Sequence, residues 1–276
     1  MGGGSRAEAI GNSCAEVGNS HVEADRGSHA EIDGNRDAYP NIAGKETRMH
    51  VELLYHTPEP ERAIAAAARL CYAPISAAEL KETMTPEQIA SVLATTLGSG
   101  HTSVMEHASF TFAIDGVSRA LTHQLVRHRL ASYSQQSQRY VKFTGGVPTV
   151  KPGSITENPK AEEIFDKAIA AAEDAYLQLV DMGIPAEDAR YLLPNATETK
   201  IVVTMNAREL MHFFNERCCK RAQWEIRALA LAMLELVKPV APIIFAQAGA
   251  PCVKGGCPEG KMTCGTPYPK AAPYRG

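Results

Sequence analysis

The chain has 276 residues, 45% of them hydrophobic, which is enough to bury a substantial core. Its 28 basic and 31 acidic residues give a formal net charge of -3, so the composition excludes a general attraction to nucleic acid or to an acidic membrane. No run approaches the roughly 20 apolar residues that cross a bilayer, and the seven cysteines show no disulfide framework. We therefore expect a cytoplasmic protein without a membrane or nucleic-acid partner.

Composition divides the chain into three parts. Residues 1–48 are rich in Gly, Ala, Asn, Ser and acids and carry apolar side chains only singly, so burial cannot offset the entropic cost of ordering them. We predict a disordered N-terminal extension over 1–48 and one folded domain over 49–245. A tail rich in Cys, Pro and Gly follows over 246–276.

Hydrophobic periodicity and capping signals predict the first elements of the domain. Residues 49–55 alternate as a strand does, and the alanine-rich run 60–70 has the pattern of a helix. The motif Thr-Pro-Glu-Gln at 85–88 supplies an N-cap, a first-turn proline and a capping-box glutamine. A second helix should therefore begin there and end at Gly98 or Gly100.

The middle of the domain should pass from strand to helix and then to a polar loop. Alternating apolar residues predict a strand over 108–114, and a helix should follow from Ser118 to about Leu130. Residues 131–137 mix small polar side chains without helical periodicity, which indicates a loop. The alternation over 139–143 predicts another strand.

Two further helices and one more strand are predicted towards the C-terminus. Residues 159–182 have the pattern of a long amphipathic helix. Its expected buried face consists of Ile164, Phe165, Ala168, Ile169, Ala172, Tyr176 and Leu179. A strand over 200–205 then leads into a helix that Asn206 can cap, with Glu209 completing a capping box. A last helix is predicted over about 223–237.

These elements predict the fold class. Strands and long helices are mixed without regular alternation, which favours an α+β domain with a mixed or antiparallel sheet packed against long helices. The sequence contains no G-x-G-x-x-G pattern and no P-loop, so a bound nucleotide would need a site of another kind.

The densest polar cluster spans residues 124–139. It combines the guanidinium groups of Arg127, Arg129 and Arg139 with His128, and the stretch 132–138 between them contains no acid. Arginine matches pairs of phosphate oxygens, so the cluster is a candidate site for a phosphate and a polar ring. The alternative is a solvated helix end whose cations complement the helix dipole.

This cluster also carries a family resemblance. Residues 127–129 followed after seven residues by Ser137 form the pattern RHR-x7-S, which resembles the signature of flavin-dependent thymidylate synthases. Similar blocks at 100–107 and 206–225 extend the likeness over most of 49–245. The resemblance implies the reductive methylation of dUMP to dTMP, with 5,10-methylenetetrahydrofolate as one-carbon donor and FAD reduced by NADPH. It also implies a homotetramer with FAD at the subunit interfaces.

The resemblance further implies the residues of the site. Those expected to contact FAD are Ser103, Arg127, His128, Arg129, Gln135, Asn206, Ala207, Arg208 and His212. Those expected to contact dUMP are Gln124, Leu125, Val126, Arg127, Gln135, Gln136, Ser137, Gln138, Arg139, Arg190 and Arg217. Arg217 is the implied catalytic residue, because it favours ionisation of the uracil N3, whereas Ser137 binds substrate rather than attacking it. His101 and Glu106 should shape the flavin and folate region.

Some positions depart from the family pattern or lie outside it. Gln135 stands where an acid is common, and His212 stands where Asn is also found, so the hydrogen bonding there should differ. In the tail, Cys252, Cys257 and Cys264 lack a clear fourth ligand. We expect free thiols there, with a structural metal site as the alternative.

Two readings from other functional classes remain open. A zinc hydrolase could use His101, Glu106 and His107, although their spacing matches neither H-E-x-x-H nor H-x-x-E-H. A non-catalytic module that binds RNA or a nucleotide could use the Arg- and Tyr-rich segment 127–140, although the net charge of the chain argues against it.

Overall fold

The computed structural model describes residues 49–143 and 145–272, so the extension predicted over 1–48 lies outside the described residues. The strands are β1 (His50–His56), β2 (Ser109–Ser118), β3 (Ala131–Gln135) and β4 (Glu198–Asn206). The α-helices are α1 (Pro60–Leu70), α2 (Ala77–Thr83), α3 (Pro86–Gly98), α4 (Arg119–Leu125), α5 (Gly153–Thr156), α6 (Pro159–Asp181), α7 (Ala186–Ala189), α8 (Ala207–Arg217) and α9 (Trp224–Val237). Short 3-10 helices span Thr102–His107, Arg190–Leu192, Pro251–Val253 and Gly260–Met262.

The four strands form one antiparallel sheet in the order β1-β2-β4-β3. The predicted α+β class is thereby confirmed, and the sheet is antiparallel rather than mixed. Alternation buries one face of β2 completely, including Phe110 and Phe112, and these residues lie opposite Met205 and Val203 of β4. This face forms the centre of the hydrophobic core together with α8 and α9.

Local signals in the sequence explain why several helices begin where they do. The predicted capping box of α3 is present, with Thr85 and Gln88 exchanging side-chain and backbone hydrogen bonds. Asn206 ends β4 and caps α8, because its side-chain oxygen accepts a hydrogen bond from the backbone N–H of Glu209 at 2.8 Å. The backbone N–H of Ala207 donates to the carbonyl of Ala108 at 2.8 Å. The start of α8 is therefore held at the end of the sheet.

A buried carboxylate joins the sheet to α9. Glu225, which is 2% exposed, accepts hydrogen bonds from the backbone N–H of Ser118 at 2.7 Å and from its hydroxyl at 2.5 Å. The Ser118 hydroxyl in turn accepts from the backbone N–H of Leu121 and caps α4. This network connects the end of β2 to the helix that leads into the polar cluster.

The structure corrects three of the predicted elements. The strand lies at Ala131–Gln135, which was predicted as a loop, whereas residues 139–143 form a turn and irregular backbone rather than a strand. Pairing with β4 satisfies the backbone of this polar segment at the edge of the sheet, so tertiary contacts override its weak periodicity. Because β3 begins at Ala131, the preceding helix ends at Leu125 instead of continuing to Leu130.

The buried face predicted for α6 is confirmed only in part in this chain taken alone. Tyr176 is the only residue of α6 that is buried, and Ile164 is 71% exposed. The helix is amphipathic, but its apolar stripe is only partly covered. Ile164 and Ala168 are exposed, whereas Phe165, Ile169, Ala172 and Leu179 are partly buried. Among the described residues, none of the helices is long and apolar enough to span a bilayer.

Candidate active site

A cleft at one end of the sheet gathers residues that are far apart in sequence. It has a volume of about 460 Å³, and it is lined by Arg127, His128, Arg129, Leu130, Arg208, Glu209 and His212. The pairing of β3 with β4 explains this geometry, because Ala131 lies opposite Met205. The loop that enters β3 and the turns of α8 that follow β4 therefore lie side by side.

His128 lies beneath the cleft and is only 5% exposed. Its Nδ1 lies 3.2 Å from a carboxylate oxygen of Glu209, and its Nε2 accepts a hydrogen bond from Nε of Arg217 at 3.1 Å. Because the guanidinium can only donate, Nε2 must carry the lone pair and Nδ1 the proton. The ring is therefore neutral, and its Nδ1–H donates to Glu209.

Burial and neighbouring charges favour this neutral ring. Burial, followed by the electrostatic effects of the neighbouring Arg217 and His212, lowers the pKa of His128 from 6.5 to about 4. Burial raises the pKa of Glu209, an effect that His212 partly opposes. The floor of the cleft is thus a neutral imidazole held between a carboxyl group and a guanidinium group.

Tyr133 anchors the loop that carries His128. Its hydroxyl lies 2.7 Å from the carbonyl oxygen of His128 and 2.8 Å from that of Leu125, so it donates to this pair of acceptors. Burial raises the pKa of Tyr133, and the negative charge of Glu209 raises it further. The hydroxyl therefore stays protonated and keeps the backbone of the loop in place.

The rim of the cleft is cationic. Arg127, Arg129 and His212 are exposed, and Arg208 forms an ion pair with Glu106 in which both side chains are about half exposed. The N-terminal turn of α8 adds its dipole, whose positive end lies at Ala207. The arrangement suits an anionic ligand that also presents polar ring atoms.

A second group of predicted site residues lies at the other end of β3. Nε2 of Gln135 donates to the hydroxyls of Thr122 at 3.1 Å and Thr199 at 3.3 Å. The hydroxyl oxygen of Ser137 accepts from the backbone N–H of Arg139 at 3.2 Å. These residues do not line the cleft that contains His128.

Two arginines of this second group meet at one acidic residue. Arg139 forms an ion pair with the carboxylate of Glu187 at 2.8 Å, and Nε of Arg190 donates to the backbone carbonyl of the same residue at 3.1 Å. A third cation, Arg119, lies near Arg190 and was not predicted from the sequence. Burial lowers the pKa of Arg119, and the charge of Arg190 lowers it further. The group therefore combines three cations with short polar side chains.

Some predicted site residues offer little to a ligand from their side chains. Leu125 and Ala207 are completely buried, and Ala207 also uses its backbone N–H on Ala108. Ser103 is exposed on the 3-10 helix Thr102–His107, which the ion pair of Glu106 joins to α8. The remaining predicted positions are Gln124, Val126, Gln136 and Gln138, which are exposed or partly buried.

The structure does not gather the residues of the zinc hydrolase alternative. Among the described residues, the only group of metal-ligand types is His128, Glu209 and His212, whose donor atoms lie within 4.8 Å of one another. Glu106 is instead bound to Arg208. In the group that does form, the protonated Nδ1 and the occupied Nε2 leave the His128 ring no lone pair for a metal.

Glu209 is the functional candidate that sequence reasoning assigned to the wrong partner. Its position three residues after Asn206 suggested a capping box, but its side chain reaches His128 instead of the cap backbone. No local signal could reveal this contact, since 81 positions separate the two residues. In the tail, Cys252, Cys257 and Cys264 form no disulfide bond with any described residue.

Comparisons with known proteins identify one family. A family model described as thymidylate synthase complementing protein matches residues 52–243. A flavin-dependent thymidylate synthase of Geobacter sulfurreducens is 62% identical over 218 residues, which cover 79% of this chain and 94% of the relative. The corresponding protein of Clostridium tetani is 48% identical over 240 residues, covering 81% of this chain and 96% of the relative.

A solved structure has the same architecture. The UMP/dUMP methylase PolB from Streptomyces cacaoi, bound with 5-Br dUMP, superposes with a TM-score of 0.63 at 26% identity. The match covers 72% of this chain and 94% of that one. The fold and the cleft thus define a class of α+β proteins with an antiparallel sheet, in which a basic loop and the first turns of a helix line one cleft. Within this class, the chain belongs to the flavin-dependent thymidylate synthase family.

Proposed function

We propose that the protein is a flavin-dependent thymidylate synthase that methylates dUMP to dTMP, with 5,10-methylenetetrahydrofolate as the one-carbon donor and NADPH as the reductant. One observation carries this proposal: the RHR segment 127–129 and the 208–212 turn of α8 meet at one cleft. Both segments belong to blocks that resemble the family, and the register of β3 on β4 explains why they are neighbours.

The chemistry of the cleft fits FAD. Arg127, Arg129 and Arg208 offer guanidinium groups for the two phosphates of a dinucleotide, and His212 offers a ring nitrogen. These residues would hold the cofactor, together with Asn206 and the more distant Ser103 and Gln135. When bound, the reduced flavin supplies the hydride that completes the methyl group.

Arg217 is the residue that we propose for substrate activation. It donates Nε–H to His128, so its two Nη groups are available to a carbonyl oxygen or a ring nitrogen. A fixed positive charge beside the uracil stabilises the anion formed when N3 loses its proton. The electron density of that anion makes C5 of the uracil a better nucleophile.

The second group of site residues suits the rest of dUMP. Arg139 and Arg190, which meet at Glu187, would take the phosphate, with Arg119 adding a third cation. The hydroxyl oxygen of Ser137 already accepts a hydrogen bond, so its O–H remains available to donate to the substrate. This supports a binding role for Ser137 rather than a nucleophilic one.

We further propose a homotetramer with the cleft at a subunit interface. Leu130 lines the cleft yet is 69% exposed, and Ile164 on α6 and Tyr191 after α7 are 71% and 83% exposed. A second copy of the chain would remove these apolar side chains from water. Light scattering during size-exclusion chromatography measures the number of subunits, and a monomer at micromolar concentration contradicts the proposal.

A cytoplasmic location is part of the same proposal. The six cysteines among the described residues are all free, which suits a reducing compartment.

Purified protein provides the direct test. We expect a bound flavin whose visible absorbance is bleached by NADPH, and dTMP should form only when dUMP, methylenetetrahydrofolate and NADPH are all present. Chromatographic detection of dTMP checks the reaction, and leaving out each reactant in turn provides the control. A colourless protein that forms no dTMP after addition of FAD contradicts the proposed function.

A further inference from the structure

Three side chains beneath the cleft form a continuous hydrogen-bonded chain. The carboxylate of Glu209 accepts from Nδ1 of His128 at 3.2 Å, and Nε2 of His128 accepts from Nε of Arg217 at 3.1 Å. Glu209 and His128 have side-chain exposures of only 6% and 4%. The arginine that we propose to activate dUMP is therefore held from behind by a buried pair.

Glu209 and Arg217 both lie on α8, and their positions explain why His128 is needed to connect them. Glu209 lies in the first turn of α8 and Arg217 is its last residue, so the two are separated by about 12 Å along the helix axis. This distance is too long for a direct ion pair. The ring of His128, entering from the loop before β3, bridges it.

The hydrogen-bond directions along the chain leave one consistent assignment. Arg217 can only donate, so Nε2 of His128 must be unprotonated, and the proton of the neutral ring must lie on Nδ1. That proton needs an acceptor in a buried site, and the carboxylate of Glu209 provides it. Glu209 thus selects the ring tautomer that Arg217 requires, as carboxylates do for histidines in metal sites.

Other groups around the ring do not replace this acceptor. His212 approaches with ring centroids 5.5 Å apart, and Phe213 packs edge-on at 5.0 Å. The Tyr133 hydroxyl contacts the backbone carbonyl of His128 rather than its ring. Asn206 supplies the helix cap through the backbone of Glu209, so the Glu209 side chain is free for the ring.

We propose that Glu209 is a positioning residue, which acts through the His128 tautomer to fix the orientation of Arg217 towards dUMP. This inference rests on the proposed function, because the role of Arg217 in dUMP binding is part of it. An amide in place of the Glu209 carboxylate can donate to Nδ1 as well as accept from it, so it no longer selects one tautomer. Glu209→Gln should then weaken dUMP binding only while Arg217 is present.

A double-mutant cycle on the flavin-loaded protein tests the coupling. The variants are Glu209→Gln, Arg217→Ala and the double substitution, and calorimetric titration measures the dissociation constant of dUMP at equal flavin content. We expect Glu209→Gln to weaken dUMP binding about tenfold in the unsubstituted protein and less than twofold in the Arg217→Ala background. If the free-energy losses of the two single variants simply add in the double variant, the inference is contradicted.

A second buried carboxylate provides a matched control. Glu225 is 2% exposed and binds Ser118, at the junction of β2 and α4. Glu225→Gln should lower the unfolding temperature but leave dUMP affinity within about twofold. If it weakens dUMP binding as much as Glu209→Gln does, a general loss of stability explains the effect and the proposal is wrong.

The tautomer itself can be measured without any substitution. Spectra of protein labelled with ¹⁵N-histidine should show His128 neutral, with its proton on Nδ1. A proton on Nε2 of His128 overturns the inference even if Glu209→Gln fails to fold. If the unsubstituted holoenzyme does not bind dUMP, both the proposed function and this inference are wrong. If it binds dUMP but the losses of affinity in the two single variants add in the double variant, only the inference is wrong.

Discussion

Arg208 and Glu106 form an ion pair that joins the first turn of α8 to the 3-10 helix Thr102–His107. Both side chains are about half exposed, at 50% and 47%, so the pair itself contributes little to stability. Its consequence is geometric, because it fixes a guanidinium at the rim of the cleft. The block 100–107 is thereby connected to the cofactor site that we propose.

The first prediction concerns this ion pair. Glu106→Gln should weaken flavin binding several-fold while changing the free energy of unfolding by less than about 1 kcal/mol. Equilibrium dialysis of FAD and chemical denaturation measure the two quantities. The control is Glu163→Gln, which removes the exposed pair with Lys167 on α6. Equal flavin affinity in both variants argues against a role for Glu106.

The second prediction separates substrate activation from cofactor binding. Arg217→Ala should lower dTMP formation by a factor on the order of a thousand, because the charge beside the uracil is lost, while flavin stays bound. Arg221→Ala is the control, since Arg221 binds the carbonyl of Met262 instead of His128. Full turnover by Arg217→Ala would remove this residue from the mechanism.

The third prediction concerns Ser137. Its hydroxyl accepts a hydrogen bond from the backbone of Arg139, and we propose that it donates to the substrate. Ser137→Ala should therefore raise the dUMP concentration needed for half-maximal rate about tenfold and leave measurable turnover. Steady-state kinetics with varied dUMP checks this. Complete inactivity at saturating dUMP, with flavin bound, favours a nucleophilic serine instead.

The fourth prediction concerns stability and pH. The folded-state pKa of His128 is about 4, below its ordinary value of 6.5, so between these values the unfolded chain binds a proton that the folded chain does not. Stability should therefore fall as pH decreases from 6.5 towards 4, by on the order of 2 kcal/mol from this residue. The raised pKa of Glu209 acts in the opposite sense, because ionisation of that group opposes folding as pH rises.

Comparison with a variant isolates the histidine contribution. His128→Asn should show a shallower loss of stability over this range in chemical denaturation, and His123→Asn, which changes an exposed histidine of α4, should match the unsubstituted protein. Equal slopes for all three proteins contradict the assignment of a neutral, buried His128.

The fifth prediction concerns the C-terminal segment. The ammonium nitrogen of Lys220 lies 4.8 Å from the centroid of the Tyr268 ring. The backbone N–H of Tyr268 donates to Sγ of Cys252 at 3.4 Å. Tyr268→Ala should lower the free energy of unfolding by about 1 kcal/mol or more, because cation–π and packing contacts are lost. Tyr72→Ala, at a position 84% exposed, should change it by less than about 0.5 kcal/mol. Denaturant titrations of both variants provide the comparison.

Short-range patterns were enough to predict much of the fold. The capping box at Thr85 and the alternation over 108–114 depend on neighbours within a few residues, and both features are present. The polar strand Ala131–Gln135 was missed because its pairing with β4 supplies what its own periodicity lacks. The partial exposure of the apolar face of α6, with Ile164 71% exposed, could not be predicted either, since periodicity shows that a face is apolar but does not show what covers it.

By itself, the sequence determined the family, through the RHR-x7-S block and its companion blocks, and it determined which polar residues were available for a site. Only the tertiary structure decided how they are connected. It placed the predicted residues in two groups, one at each end of β3. It also placed the side chain of Glu209 in contact with His128 instead of in a capping box. The physical reason is that antiparallel pairing brings together residues 81 positions apart, which no local pattern specifies.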